Sequence, residues 1–243
     1  MKKYSTDFKF MSSTVRDARL SPLSSHNFNR HQPGRDMSGS PPRPGPMPAS
    51  LRALRVPTSL SCFDVPARDY LALHNAPWDG LAVGALVFSS ADTDRVLLIQ
   101  RAKSDSLPGI WEIPSGVVSN DPAKDATVAK AVVRELWEET GLMTIGLRRL
   151  VNAPGEEGFV FSNSTKTKVF CRFVFEVDIE KDQNGPMEIK LNPAEHQDFT
   201  WATAEEVKEL RIAGPNLTEL RRIELTSEHL KALILAAFRL RNE

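Results

Sequence analysis

The spacing of apolar and polar positions changes near residue 56. Before it, Ser, Pro and Arg cluster, as in SPPRPGPMPAS at 40–50, and no period of 2 or 3.6 is sustained. Such a stretch cannot bury enough apolar area to offset its chain entropy, so residues 1–55 read as a disordered tail. Beyond it, the apolar runs Leu81–Phe88 and Arg95–Arg101, joined by the turn-like SSADTD, predict a hairpin. Ile110–Val118 reads as an extended segment interrupted by Pro and Gly. Residues 121–140 predict a helix with Asp121 as N-cap, Pro122 in its first turn and Gly141 as its left-handed stop. Leu147–Val151 and Lys168–Asp178 predict strands, the second from the alternation of Val169, Cys171, Phe173, Phe175 and Val177. Ile189–Leu191 and Asp198–Trp201 read as two short strands. Thr203 and Glu206 form a capping box that opens a short helix. Leu230, Leu233, Ile234, Ala237 and Phe238 follow i, i+3, i+4, i+7, i+8, the stripe of a terminal amphipathic helix. The sequence therefore divides into a tail, 1–55, and one mixed α/β domain, 56–243.

Composition narrows the class. Apolar residues are 41% and charged residues 26%, ordinary values for a globular chain. No apolar run reaches the roughly eighteen residues of a membrane span, and the N-terminus lacks the apolar core of a secretory signal. Cys62 and Cys171 have no C-x-x-C spacing, and Cys171 falls within the alternating apolar set, so it reads as a core side chain. These features suit a cytoplasmic protein. Lys+Arg and Asp+Glu both total 31, but residues 1–60 hold ten bases against three acids, +7, which leaves −7 for the rest. A uniformly basic nucleic-acid binder is thereby excluded. The basic, Ser-rich tail also has the composition of a transit peptide, which would direct the chain to mitochondria.

One helix stands out chemically. In Arg134-Glu-Leu-Trp-Glu-Glu-Thr-Gly-Leu142, successive residues turn by about 100°, so Glu135, Glu138 and Glu139 share one face. Like charges at these spacings repel, and near the helix C-terminus the dipole disfavours them further. A divalent cation among the oxygens removes the penalty, and Mg²⁺ suits carboxylates combined with water and phosphate oxygens. A solvated acidic face, with Arg134 and Glu138 as an i, i+4 pair, accounts for the same string without a cation.

The string Arg134–Leu142 resembles the second half of the Nudix hydrolase signature, Arg-Glu-U-x-Glu-Glu-x-Gly-U, where U is a bulky aliphatic. Leu97–Arg101, the Gly109-Ile-Trp-Glu-Ile-Pro-Ser-Gly116 approach, and Glu195-His-x-x-Phe-x-Trp201 resemble that family's flanking elements. The first half of the signature departs: Ala126 stands at the usual Glu, Asn120 at the usual Gly, and Ser115 replaces another glycine, with Asp125 the nearest substitute acid. The resemblance implies a Nudix-type α/β/α sandwich with a mixed central β-sheet. It also implies hydrolysis of a phosphoanhydride in a nucleoside diphosphate linked to another moiety. Glu135, Glu138 and Glu139 would bind Mg²⁺ or Mn²⁺. Glu135, Glu139, Arg134 and Glu195 would carry catalysis, Glu195 from a late loop as candidate base and Arg134 by orienting a Glu.

Glu156 and Glu157 are rivals for the base. Arg101 and Trp111 are the candidate substrate-binding residues; Trp111 and Phe161 could stack a nucleobase or simply belong to the core. His74 and His196 read as structural. The expected partner is a small nucleotide rather than nucleic acid, and relatives suggest a possible homodimer. A Nudix-like binding or regulatory module, motivated by Ala126 and Asn120, and an RNA-end pyrophosphohydrolase using the basic tail are the competing readings. Isomerase chemistry would want a Cys/Glu pair, for which neither Cys offers a recognisable partner.

Overall fold

A computed structural model describes residues 54–89, 94–180, 188–213 and 219–243. The expected tail lies outside them except for Leu54 and Arg55. Arg55 already belongs to the domain: its amide donates to the Ile145 carbonyl at 3.2 Å, and its own carbonyl accepts from Leu147 at 2.9 Å.

A 3₁₀ turn, Thr58–Phe63, leads into α1 (Ala67–Leu73). Four strands follow: β1 (Gly80–Val87), β2 (Arg95–Arg101), β3 (Trp111–Glu112) and β4 (Ser115–Val117). Then come α2 (Val128–Thr140), β5 (Thr144–Val151), β6 (Phe159–Ser162) and β7 (Val169–Ile179). The chain ends with β8 (His196–Thr203), α3 (Ala204–Glu209), β9 (Arg211–Ala213), β10 (Leu220–Arg222) and α4 (Glu228–Arg241).

The larger sheet runs β4-β1-β7-β5, with β6 also paired to β7. β1 and β7 are parallel and the remaining pairs antiparallel, so the sheet is mixed. β1 is buried along its whole length, as expected of a continuous apolar strand covered on both faces. The hairpin expected between the first two apolar runs does not form as such. Both edges of β1 are taken by β4 and β7, so β2 touches it through the Phe88–Val96 bridge and then joins β3 and β8 in an antiparallel sheet.

Two cores flank the larger sheet. On one face Phe63, Tyr70, Val132 and Leu136 pack on Leu81, Val83, Phe173 and Phe175. On the other, Leu233, Ile234, Ala237 and Phe238 of α4 pack with Leu86, Trp111 and Val174. Helices on both faces of a mixed sheet give the α/β/α layering that the family resemblance implied, and the terminal amphipathic helix buries the stripe assigned to it. Cys171 is buried in the first core. No helix among the described residues is long and apolar enough to cross a membrane.

Two local expectations need correction. The helix expected over 121–140 begins only at Val128, where the Thr127 side chain accepts the Lys130 amide. Asp121 caps a separate turn instead: its side chain accepts from Ala123 at 2.9 Å, and its carbonyl accepts from Asp125. The turn stops because the Asp125 carboxylate faces inward onto Arg134. Ile189–Leu191 is not a strand. The Lys190 amide donates to the Thr140 carbonyl and the Asn192 amide to that of Glu139, so the segment satisfies the open C-terminal end of α2. The box of Thr203 and Glu206 forms as expected.

Candidate active site

α2 ends in Gly141, whose φ of +69° supplies the left-handed stop. Its last two turns present the three glutamates to different depths. Glu139 is 7% exposed and Glu135 half-buried, while Glu138 has 46% of its side chain exposed. Both inner carboxylates reach β4. The Ser115 amide donates to Glu139 Oε2 at 2.9 Å. A Cβ on Gly116 would stand 2.2 Å from Glu135 Cδ, so glycine is what lets that carboxylate lie against the strand backbone.

Arg134, on the same helix, is 5% exposed and organises the group. Its Nε and Nη2 each donate to Asp125 at 2.7 Å, a two-pronged contact, and Nη2 also donates to the Val117 carbonyl. Nη1 lies 2.7 Å from Glu135 and 2.9 Å from Glu138. Burial opposes its charge, but Asp125 and Glu135 more than compensate, so its pKa is raised. Asp125 is itself 2% exposed and accepts the Ser119 amide at 2.7 Å. The acid next to the degenerate Ala126 thus serves as Arg134's buried partner.

The start of β8 and the end of β3 supply the opposite wall. Glu139, Glu195 and His196 offer ligand atoms that all lie within 4.8 Å of one another. His196 is 3% exposed; its Nε2 lies 3.2 Å from Glu112 Oε1, and its buried Nδ1 has no hydrogen-bond partner. Glu112 is 6% exposed and accepts Arg101 Nη1 at 2.8 and 3.0 Å. Burial is the main reason the Glu139 pKa stands well above the ordinary value of 4.5; Glu112, Glu135 and Glu195 push it further, against the Ser115 amide. Glu135 is raised in the same direction, again chiefly by burial, with Arg134 opposing.

Among the described residues Glu139 forms no ion pair with Lys or Arg, although three other carboxylates bear on it. That donor set fits a divalent cation: oxygen ligands, one imidazole with a free buried nitrogen, and excess negative charge that burial makes costly.

The other expected residues fall outside this cluster or are otherwise engaged. Arg101 is committed to Glu112 and to Asp105, whose carboxyl those hydrogen bonds, against burial, draw down to about 2. Trp111 is 1% exposed in the second core, with the Arg221 guanidinium 5.0 Å above its ring, so the fold offers no ring face there for a base. Glu156 pairs with His229 at 3.0 Å, and His74 stacks on Tyr70. Phe161 is half-buried and stacked on Phe170. Glu112 and His196 were not legible as members of the cluster. Both lay inside strings quoted for other reasons, and only the pairing of β2 with β3 and β8 brings them together.

Residues 78–221 match the family model described as NUDIX domain, more than half of the chain, and the protein belongs to that family. A dihydroneopterin triphosphate diphosphatase from Haemophilus influenzae is 23% identical over 151 residues, covering 56% of this chain and 83% of the relative. Similar solved structures include a MutT protein from Methanosarcina mazei (TM-score 0.47, 20% identity, 68% of this chain and 95% of that one). They also include an Ap4A hydrolase from C. elegans (TM-score 0.45, 21% identity, 68% of this chain and 99% of that one).

Proposed function

We propose that this Nudix pyrophosphohydrolase cleaves the phosphoanhydride of a nucleoside diphosphate derivative with a divalent cation held at the acid cluster. The observation that carries this reading is buried Glu139, hemmed by carboxylates and without a Lys or Arg paired to it among the described residues. Glu135, Glu138 and Glu139 would hold Mg²⁺ or Mn²⁺, with Glu195 and His196 adjacent to Glu139. When bound, the cation neutralises the diphosphate and favours charge developing on the transferring phosphoryl group.

The chain's own groups prepare that event. Arg134, fixed by Asp125, holds Glu135 and Glu138 and is a positioning residue rather than a contact to substrate. The Ser115 amide orients the Glu139 carboxylate. Glu195 is exposed at the rim of the cluster, where its carboxylate can accept a proton from the water that attacks phosphorus. The scissile P–O bond then breaks and the displaced phosphate takes the electron pair. Glu156, paired with His229, is less suited to that task.

Against the reading of a module without turnover, raised by Ala126 and Asn120, stands Asp125, which supplies a buried carboxylate to Arg134. The test is phosphate release over a panel of nucleotide sugars, dinucleotides, dinucleoside polyphosphates and nucleoside triphosphates with Mg²⁺ and Mn²⁺. Turnover of at least one member is expected, with Glu139→Gln lowering it about a hundredfold or more. No turnover of any member, or an unimpaired Glu139→Gln, overturns the reading.

A further inference from the structure

One face of the larger sheet carries a cation, Arg172, whose guanidinium meets no carboxylate in an ion pair among the described residues. Register sets Val117 of β4, Ala82 of β1, Arg172 of β7 and Phe159 of β6 side by side in one cross-strand row. Opposed residues share a face, so Arg172 lies with Phe159, and Phe170 with Phe161 forms the next pair along. β1 offers this face small residues: the Phe170 ring lies over Gly80, where a Cβ would stand 2.8 Å from it.

The Arg172 guanidinium carbon lies 5.3 Å from the Phe159 ring centre and 5.6 Å from that of Phe161. Phe159 is stacked on His229 of α4 at 4.2 Å, and Phe161 on Phe170 at 5.7 Å, so the rings beneath the cation are themselves fixed. A ring face attracts the charge but accepts none of the five N–H donors in the way an oxygen does. Among the described residues the Arg172 guanidinium makes no side-chain hydrogen bond or ion pair, its backbone alone being held in the sheet. By contrast Arg101, Arg134, Arg149 and Arg241 each meet a carboxylate. Burial pulls its pKa down and nearby Glu112 pulls it back up, so the guanidinium is both desolvated and electrostatically close to the acid cluster. A half-buried cation in this state is unfavourable until an anion arrives.

We propose that Arg172 is a substrate-binding residue whose guanidinium, held on the Phe159 and Phe161 rings, donates to a phosphate of the nucleotide while the phosphoryl group undergoing attack lies at the acid cluster. The inference rests on the hydrolase reading of that cluster. Glu112 acts electrostatically on both Arg172 and Glu139, so a single extended anionic ligand can meet the guanidinium and the acid cluster together. A planar two-pronged donor also suits phosphate better than a point charge does.

The test compares Arg172→Met and Arg172→Lys with wild type in the full chain. It reads KM and kcat on the preferred member of the panel, and calorimetric binding of a nucleoside 5′-(α,β-methylene)diphosphate in Mg²⁺. Arg172→Met is expected to raise KM and weaken analogue binding about tenfold to a hundredfold, with a much smaller change in kcat. Arg172→Lys recovers part of the affinity. A KM and an analogue affinity within twofold of wild type overturn the proposal. If Arg172→Met does not fold, Arg172→Lys carries the test: loss of the planar fork must weaken analogue binding severalfold, and an unchanged affinity overturns the proposal. When Glu139→Gln is inactive and the Arg172 variants behave as wild type, this inference alone has failed. A wild type that hydrolyses no nucleotide and binds no analogue removes the hydrolase reading and this inference with it.

Discussion

Glu139 shows how little of a side chain's state its position in a motif reveals. The sequence sets Glu135, Glu138 and Glu139 on one helical face as near equals, and their spacing was fully legible. Their ranking by depth was not, because it is imposed by β4 and by Glu112 and Glu195, which lie far away in sequence. The ranking has a measurable consequence. Since the folded pKa of Glu139 is raised, its contribution to stability is fully present below the ordinary value of 4.5 and is lost as pH rises through the raised one. Thermal melts in chelator should therefore show stability falling as pH climbs from the carboxylate range toward neutrality, with Glu139→Gln flattening that fall. Adding Mg²⁺ to wild type at neutral pH should restore stability, by about 2.7 kcal/mol at a hundredfold excess over its dissociation constant. A chelated wild type whose melting temperature rises over the same range would contradict this account.

At the level of the element, α2 separates what local pattern can decide from what it cannot. Its C-terminal half, from Arg134 to Gly141, lies where the sequence predicts. Its start does not, because Asp121 and Thr127 are both competent caps and local preference does not choose between them. The choice falls to Arg134, whose demand for the Asp125 carboxylate fixes the preceding loop and breaks the helical path. The clamp is buried on both sides, so removing Asp125 strips the Arg134 Nε and Nη2 donors of their carboxylate and leaves only the Nη1 side paired, to Glu135 and Glu138. Asp125→Ala should cost about 3–5 kcal/mol in denaturant unfolding. It should also lower kcat in the fraction that remains folded, since Glu135 and Glu138 lose a fixed partner. A substitution neutral in both assays would mean that Arg134 finds another anchor. β1 and β2 carry the same lesson: two adjacent apolar runs read as a hairpin, yet the edge that β2 would need is already occupied by β4 and β7.

For the molecule as a whole, the mixed α/β class followed from alternation and periodicity and the layering from the resemblance to the Nudix family, whereas the closure of the layers depends on long-range charge. Glu176 of β7 is 1% exposed and is held by Arg241 of α4 and, at 3.0 Å, by Arg149 of β5. Arg149 also donates to the Leu240 carbonyl at 2.7 Å. Glu176→Ala would leave these arginines facing each other at the root of α4 and should destabilise the domain by about 3–5 kcal/mol, read as a shift in the urea midpoint. The acid cluster and this basic clasp lie in one domain that, with residue 60 as the divide, carries −7 against a +7 N-terminal stretch. Net charge alone concealed both.

The parallel pairing of β1 with β7 joins positions ninety apart, Gly80 opposite Phe170, and Glu195 with His196 follows later still. A chain leaving the ribosome therefore completes α2 well before the residues that bury its carboxylates have been made. The repulsion among those acids is met late, when the last strands dock, and loops of that length close slowly. A divalent cation has little to hold until then. Bound there as proposed, it would slow the escape from the native state far more than it speeds arrival there, acting on the protein's lifetime rather than its rate of birth.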